Sequence, residues 1–290
     1  MTPRPDDAQL LLALPKGRME AGVLRLLAGA GIDVRAGARN YRPSLSLPGY
    51  QVKLMRPQNI VEMLHVGSRD VGFAGADWVA ELGADVEELL DTGLDPVRIV
   101  AAAPAEVAAG LEAGALRLIA SEYERLTRRW VTARGLDATF IRAYGATEVF
   151  PPEDADCIVD NTATGDTLRA NGLVIIDELM RSSTRLYASR QAWADPVRRE
   201  ALERLVLLLR SVLEARKRVM VEVNVAGADL EALLAVLPCM REPTISGLRG
   251  DAGYAVKAAV PRAELAMVIP EIRARGGTDI VVTELAQIVV

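Results

Sequence analysis

Over roughly the first 200 residues, short strand-sized apolar runs alternate with segments of helical period, a pattern that commits the chain to an α/β fold. "QLLLALP" reads as a strand and "EAGVLRLLAGAG" as the helix after it, stopped by Gly31. "YQVKLMR" with "PQNIVEMLHVG" repeats the scheme, Pro57 being suited to a first helical turn, and "RDVGFAG" with "ADWVAELG" repeats it again. From about Arg98 the pattern restarts: "VRIVAAAP", "LRLIAS", "YERLTRRWVTARG", "ATFIRAYG", then "CIVDN" and its helix. Two α/β lobes are expected, with a boundary near Pro96. "VIIDELMRSSTRLYAS" reads as a pair of strands carrying the chain back to the first lobe.

The style then changes. "PVRREALERLVLLLRSVLEARKR" predicts a long helix with Leu202, Leu205, Leu209 and Leu213 on one stripe and a basic, solvated end at Arg216, Lys217 and Arg218. "VMVEVNVAG" alternates Val219, Val221, Val223 and Val225 against Met220, Glu222 and Asn224, which is strand periodicity. The helix "ADLEALLAVLP", the strands "TISGL" and "GYAVKAAV", a helix through "PRAELAMVIPEIRARGG" and the strand "TDIVVTEL" complete a βαββαβ order, the ferredoxin-like unit.

Composition removes several functions. The net charge of -5 with no long basic run argues against nucleic acid as the main partner. No stretch approaches 18 uncharged apolar residues and the start lacks a secretory pattern, so no membrane partner is expected and the chain reads as cytoplasmic. Two distant cysteines, Cys157 and Cys239, predict reduced, buried thiols, and with His65 the only histidine there is no zinc site to propose.

The stretch "CIVDNTATGDTLRANG" carries the chemistry. It places Asp160 at the carboxyl end of a strand, follows it with Thr162, Thr164, Gly165 and Thr167, and opens a helix near Leu168. Free N–H groups of a first helical turn attract phosphate, threonine hydroxyls add donors, and glycine lets the backbone approach. Asp160 would repel a phosphate beside it and suits sugar hydroxyls better. A ribose 5-phosphate unit fits both halves of the loop. Taken alone, the loop also reads as an ordinary strand–helix turn capped by threonines. "LPKGRM" puts Lys16, Gly17 and Arg18 at the matching position of the other lobe, where two cations sit badly with a helix dipole unless a polyanion joins them. Arg56 follows another predicted strand and makes a third cation for the same cleft.

These segments, with "RPQNIVEML", "DVGFAGADWVAE", "SEYERLTRRW", "GATEVFPPEDADCIVDNTATGDTLRANGL", "RSSTRLYAS", "PTISGL" and "TDIVVTEL", resemble the long form of ATP phosphoribosyltransferase over nearly the whole chain. The resemblance implies a two-lobed catalytic unit similar to periplasmic binding proteins, followed by a histidine-binding regulatory domain. The expected division is 1–97 with 184–214, then 98–183, then 215–290. It implies condensation of ATP with phosphoribosyl pyrophosphate to give phosphoribosyl-ATP and pyrophosphate, with Mg²⁺ accompanying the substrates, feedback inhibition by histidine, and a homo-oligomer of dimers assembling to hexamers. The phosphoribosyl loop falls on Asp160, Asn161, Thr162, Ala163, Thr164, Gly165, Asp166, Thr167 and Leu168. Positions around ATP and pyrophosphate fall on Lys16, Arg18, Arg56, Gly75, Asp77, Ser121 and Tyr123, and Glu148 matches an acid of the site. Asn224, Thr244 and the backbone near Thr278 match the histidine pocket.

Three positions depart from the commoner pattern: Asn161 leaves one carboxylate where many such loops carry two, Ala74 replaces a hydroxyl, and Asn224 stands where some relatives carry Asp. In the implied reaction adenine N1 attacks ribose C1 as pyrophosphate leaves. No strong base is required; the task is to hold two polyanions together and stabilise charge on the leaving group. Lys16, Arg18 and Arg56 would offset phosphate repulsion, Asp160 would hold the ribose, and Glu148 would accept from either the ribose or the adenine amino group. A phosphoribosyltransferase for a free base would fit the loop alone, but needs neither the C-terminal module nor the "KGR" lobe. A two-lobed binding protein without chemistry is the rival of a different class.

Overall fold

The computed structural model describes residues 9–35, 41–110 and 116–289. The chain divides into two compact units, 1–25 with 32–203, and 26–31 with 204–290. The first is built on an eight-stranded sheet. In one lobe β1 (Leu10–Pro15) pairs in parallel with β4 (Tyr50–Met55) and β5 (Val71–Gly75). The short hairpin β2 (Val34–Arg35) and β3 (Ser44–Leu45) stands apart from that sheet. β5 is buried along its whole length, as a parallel strand covered on both faces should be. Helix α1 (Glu20–Gly29) follows β1, and α2 (Pro57–His65) starts at Pro57 as expected, burying Ile60, Val61 and Leu64. Helix α3 (Ala76–Leu82) follows β5 directly.

The lobes share two long strands. β6 runs Val86–Pro104 and β10 runs Leu173–Ser189, antiparallel to each other. β10 pairs with β5 through Thr184–Ala188, and β6 pairs with β9 (Cys157–Thr162) through Arg98–Ala102. The second lobe continues with β7 (Leu118–Ser121) and β8 (Thr139–Arg142), both parallel to β9's direction. Helix α4 (Ala105–Ala109) follows β6, α5 (Glu124–Arg134) lies between β7 and β8, and α6 (Asp166–Ala170) follows β9. Two lobes joined by crossing strands are the periplasmic-binding-like arrangement. The expected pair of strands at 174–189 is instead one strand: register shifts at Ile175/Asp177, Glu178/Met180 and near Thr184 absorb the polar interruptions that read as a break. β6 likewise passes through Pro96, because Asp95 (φ 47) and Pro96 fall outside the paired register between Leu94 and Val97. Alternate β6 residues serve two cores, Ile99, Ala101 and Ala103 on one face, Val100 and Ala102 on the other. Cys157 is free and buried, which pushes its thiol up to about 12; Cys239 is free but only half-buried.

Helices α7 (Arg190–Ala194) and α8 (Pro196–Arg216) follow. On α8 Leu202, Leu205 and Leu209 are buried, joined by Val212 and Ala215 rather than by Leu213. Its basic end is paired, since Lys217 and Arg218 both contact Glu214. In the second unit β11 (Arg218–Val225), α9 (Leu230–Leu234), β12 (Thr244–Gly247), β13 (Tyr254–Pro261), α10 (Leu265–Ala274) and β14 (Thr278–Glu284) give the βαββαβ order. The sheet order is β12-β13-β11-β14, antiparallel throughout. Val219, Val221, Val223 and Val225 all face its core with Leu233 and Ile272, as the alternation predicts.

Candidate active site

β9 ends in Asp160–Thr162, and the loop that follows turns at Gly165 (φ 82) before α6. Glycine accepts that left-handed conformation without the steric cost of a side chain. The Thr162 hydroxyl accepts the Gly165 N–H at 2.9 Å and so ties the turn to the strand. Thr164 donates to Asp166 at 2.6 Å. The turn encloses one side of a cavity that Asp160, Asn161, Thr162, Ala163, Thr164, Asp166, Thr167 and Leu168 line together with Glu148 and Arg18. Eight of the nine loop residues singled out in the sequence therefore face one space, Gly165 supplying the bend. Thr162→Val should cost about 1 kcal/mol of stability, because it leaves the buried Gly165 N–H without its acceptor. Chemical denaturation measures it.

Asp160 is the charged floor of this cavity. Burial pushes its carboxyl up to about 6, with Glu148 and Glu122 adding repulsion, against hydrogen bonds from the Asn161 N–H and the Thr147 side chain. Asn161 then has a role that aspartate could not fill. Its amide donates to Asp160 Oδ1 at 3.1 Å and to the Tyr123 hydroxyl at 3.3 Å, while its Oδ1 accepts from Arg18 Nη1 at 3.3 Å. A second carboxylate here would add charge beside one already disfavoured by burial.

A second cavity adjoins the first and is lined by Lys16, Arg18, Asp77, Tyr123 and Asn161, with Trp78 and Glu122. The cations come from the β1–α1 turn, where Gly17 (φ 83) separates them. Lys16 sits over the Tyr41 ring, 3.6 Å from its centroid. Asp77, in the first turn of α3, accepts from Ser182 Oγ at 2.6 Å and from the Tyr123 hydroxyl at 2.8 Å. Burial and the Asp77 charge push the Tyr123 phenol far above its usual range, so it stays a donor. Asp77, Tyr123 and Asn161 form a hydrogen-bonded chain from one lobe to the other.

The remaining candidates lie around these cavities. Gly75 is the residue before α3, and a Cβ there would collide with the Asp77 carboxylate. Ser121 is fully buried, its hydroxyl donating to the Val159 carbonyl and accepting the Tyr123 N–H at 2.8 Å. Arg56 is exposed at the start of α2, one residue before Pro57, which lines the second cavity. In the second unit Asn224 and Thr278 are direct cross-strand partners, with Asn224 donating to Asp279 at 3.1 Å. Thr244 pairs with Lys257 on β13 and so stands two strands from β11. Sequence reasoning missed Ser182, Glu122 and Trp78 as neighbours of the site. Their signal is only positional: Ser182 lies in "RSSTR", whose place beside Asp77 depends on β10 crossing between lobes.

A hydroxyl-rich loop of one lobe facing cations of the other marks the class as a two-lobed, periplasmic-binding-like α/β protein with a polar interlobe cleft. The comparisons make the class specific. The family model for HisG, ATP phosphoribosyltransferase, matches residues 56–211, and that for the HisG C-terminal domain matches 215–287. The ATP phosphoribosyltransferase of Pelotomaculum thermopropionicum is 36% identical over 97% of this chain and 99% of its own length. That of Desulforudis audaxviator is 37% identical with the same coverage. A solved ATP phosphoribosyl transferase (HisG:HisZ) complex from Thermotoga maritima contains a chain 26% identical with a TM-score of 0.62, covering 71% of this chain and 99% of that one. The chain belongs to the ATP phosphoribosyltransferase family, in the long form that carries the HisG C-terminal domain. It is a pentosyltransferase that catalyses the first step of histidine biosynthesis. No described helix is long and apolar enough to cross a membrane.

Proposed function

We propose that phosphoribosyl pyrophosphate lies on the Asp160–Leu168 loop, that ATP enters beside Lys16, Arg18, Asp77 and Tyr123, and that the C-terminal domain is a ferredoxin-like module through which histidine inhibits. The observation that carries the substrate assignment is the continuity of the two cavities through Arg18 and Asn161, which line both. The 5-phosphate takes the threonine hydroxyls and the first-turn N–H groups of α6, which have no acceptor within the helix. Asp160, when ionised, accepts from the ribose hydroxyls and leaves C1 turned towards the second cavity. Arg18, reaching across the lobes, offsets the charge of the pyrophosphate between them, and Lys16 and Arg56 do the same for the ATP phosphates. Tyr123, its hydroxyl proton committed to Asp77 and its oxygen accepting from Asn161, forms the wall at the junction, and Glu148 accepts from the ribose or the adenine amino group.

Mg²⁺ belongs with these polyphosphates. Among the described residues no group of three or more His, Cys, Asp or Glu side chains forms a protein cage for a metal. Asp160 and Glu148 on one cavity are hard oxygen donors of the kind Mg²⁺ takes alongside phosphate oxygens. Bound there, the ion supplies Lewis-acid stabilisation of the leaving pyrophosphate. In the C-terminal domain Asn224, Thr244 and Thr278 are the candidate contacts for histidine, and Asp279, bonded to Asn224, provides a carboxylate for an ammonium group. The enzyme is assigned to the cytoplasm as a homo-oligomer, dimers assembling to hexamers.

The test is a spectrophotometric assay with ATP, phosphoribosyl pyrophosphate and Mg²⁺, with pyrophosphatase to draw off the product. Growth of the absorbance of N1-substituted adenine, suppressed by histidine in the wild type and less so in Asn224→Ala, is the expected result. Growth that histidine leaves untouched would remove the regulatory assignment and keep the enzyme.

A further inference from the structure

The N-terminus of α5 has no local cap: Tyr123 occupies the capping position and its side chain makes no capping hydrogen bond. Its first N–H groups still require acceptors. They find them in the other lobe. Glu81, near the end of α3, accepts the Arg125 N–H through Oε1 and the Leu126 N–H through Oε2, each at 3.0 Å. Glu81 as a whole is buried, 7% exposed. A short Ser, Thr, Asp or Asn at position 123 would meet the same need within a few ångströms of chain, as helices commonly do.

The rest of α3 engages the same turn. Asp77 lies one helical turn before Glu81 and accepts from the Tyr123 hydroxyl, and Trp78 stacks on the Tyr123 ring with centroids 4.8 Å apart. In return the Arg125 guanidinium occupies the space beside Gly83, so that a Cβ there would collide with it. Negative charge thus meets the amino end of α5 and positive charge the carboxyl end of α3, both favourable with the helix dipoles. Trp78 packs against the cores of both lobes. Three side chains of one short helix therefore fix the height and rotation of Tyr123, which lines the cleft together with Lys16, Arg18 and Asn161.

We propose that Glu81 is a positioning residue for the reaction: by capping α5 from the opposite lobe it holds Tyr123 and the width of the ATP side of the cleft. This rests on the assignment of ATP to that side. The loop Asp160–Leu168 makes no hydrogen bond with Glu81, so the two substrates should respond differently to its loss. Glutamine in place of Glu81 keeps the shape, but its amide nitrogen is a donor facing a donor.

The experiment compares wild type, Glu81→Gln and Glu81→Asp in the full-length enzyme, measuring KM for each substrate and phosphoribosyl pyrophosphate binding by calorimetry. Glu81→Gln is expected to raise KM for ATP about tenfold. Phosphoribosyl pyrophosphate binding should stay within about twofold of wild type, since the loop's turn bonds at Thr162–Gly165 and Thr164–Asp166 stay intact and its link to Tyr123 is the 3.3 Å bond from the Asn161 amide. Glu81→Asp keeps both acceptor oxygens on a shorter arm and should fall between, which also serves should the glutamine variant fail to fold. Equal changes for both substrates, or none for either, would reduce Glu81 to a fold-stabilising cap and overturn the proposal. Asp160→Ala is run beside them: if it leaves phosphoribosyl pyrophosphate binding intact the substrate assignment falls, whatever Glu81 does.

Discussion

Asparagine in place of Asp160 is expected to lower kcat/KM by about 10²-fold, the worth of a hydrogen bond to a charged acceptor, while making the protein more stable at neutral pH. Both effects have one origin. Asp160 is held among Glu148, Glu122 and a buried strand end, and burial raises its carboxyl to about 6 from an ordinary value of 3.8. Between those values the folded state holds a proton that the unfolded state has released. Stability from this group is therefore fully present below the lower value and is lost as pH rises through the upper one. The loss is worth about 3 kcal/mol. The asparagine variant would carry no such dependence. Denaturation curves of Asp160→Asn and wild type should coincide below about pH 3 and separate by about 3 kcal/mol, in favour of the variant, by pH 8. Wild-type kcat/KM should fall below pH 6 as the carboxylate proposed to accept ribose hydroxyls is neutralised. A variant equal to wild type in stability at pH 8 would mean that the carboxylate is solvated, and its role as a buried ribose acceptor would go with it.

Gly75→Ala is the second large effect, and it acts without backbone strain. Gly75 has φ -73 and ψ 142, a conformation open to any residue. What forbids a side chain is its neighbourhood: the new methyl would collide with the Asp77 carboxylate and stand 3.1 Å from Met19 Cε. Asp77 has nowhere to retreat, being 4% exposed and bonded to Ser182 and Tyr123. Overpacking together with the loss of one of those bonds should cost about 3 kcal/mol. For a chain of this size that is a fall in Tm of roughly 6–12 °C. KM for ATP should rise with it, because the Tyr123 hydroxyl loses its anchor. Wild-type Tm and kinetics in Gly75→Ala would show that the carboxylate can move aside, and the chain from Ser182 to Asn161 would then have no hold on the site.

The sequence by itself determined the alternation of strands and helices in both lobes, the βαββαβ order with its four core valines, and the loop from Asp160 to Leu168 that lines a single cavity. These are local properties. Period, turn chemistry at Gly165 and the spacing of hydroxyls act within a few residues and are written in consecutive letters. The tertiary structure alone decided that 173–189 is one strand, that Asn161 donates to Asp160 and Tyr123, and that Glu81 caps a helix 44 residues away. The contacts of Glu81 and Ser182 depend on β6 and β10 passing from lobe to lobe, which brings α3 against α5 and Ser182 against Asp77. Asn161 instead meets Tyr123 because β7 and β9 pair side by side within one lobe. Polar letters such as those in "DELMRSST" resemble a loop in sequence. In the fold they mark the positions where a strand leaves one core, crosses the cleft and enters the next. Hydrogen bonding between distant segments has no period to read, because it is set by the register of strands whose partners lie about 70 to 100 residues apart, and register follows from packing rather than from neighbouring letters.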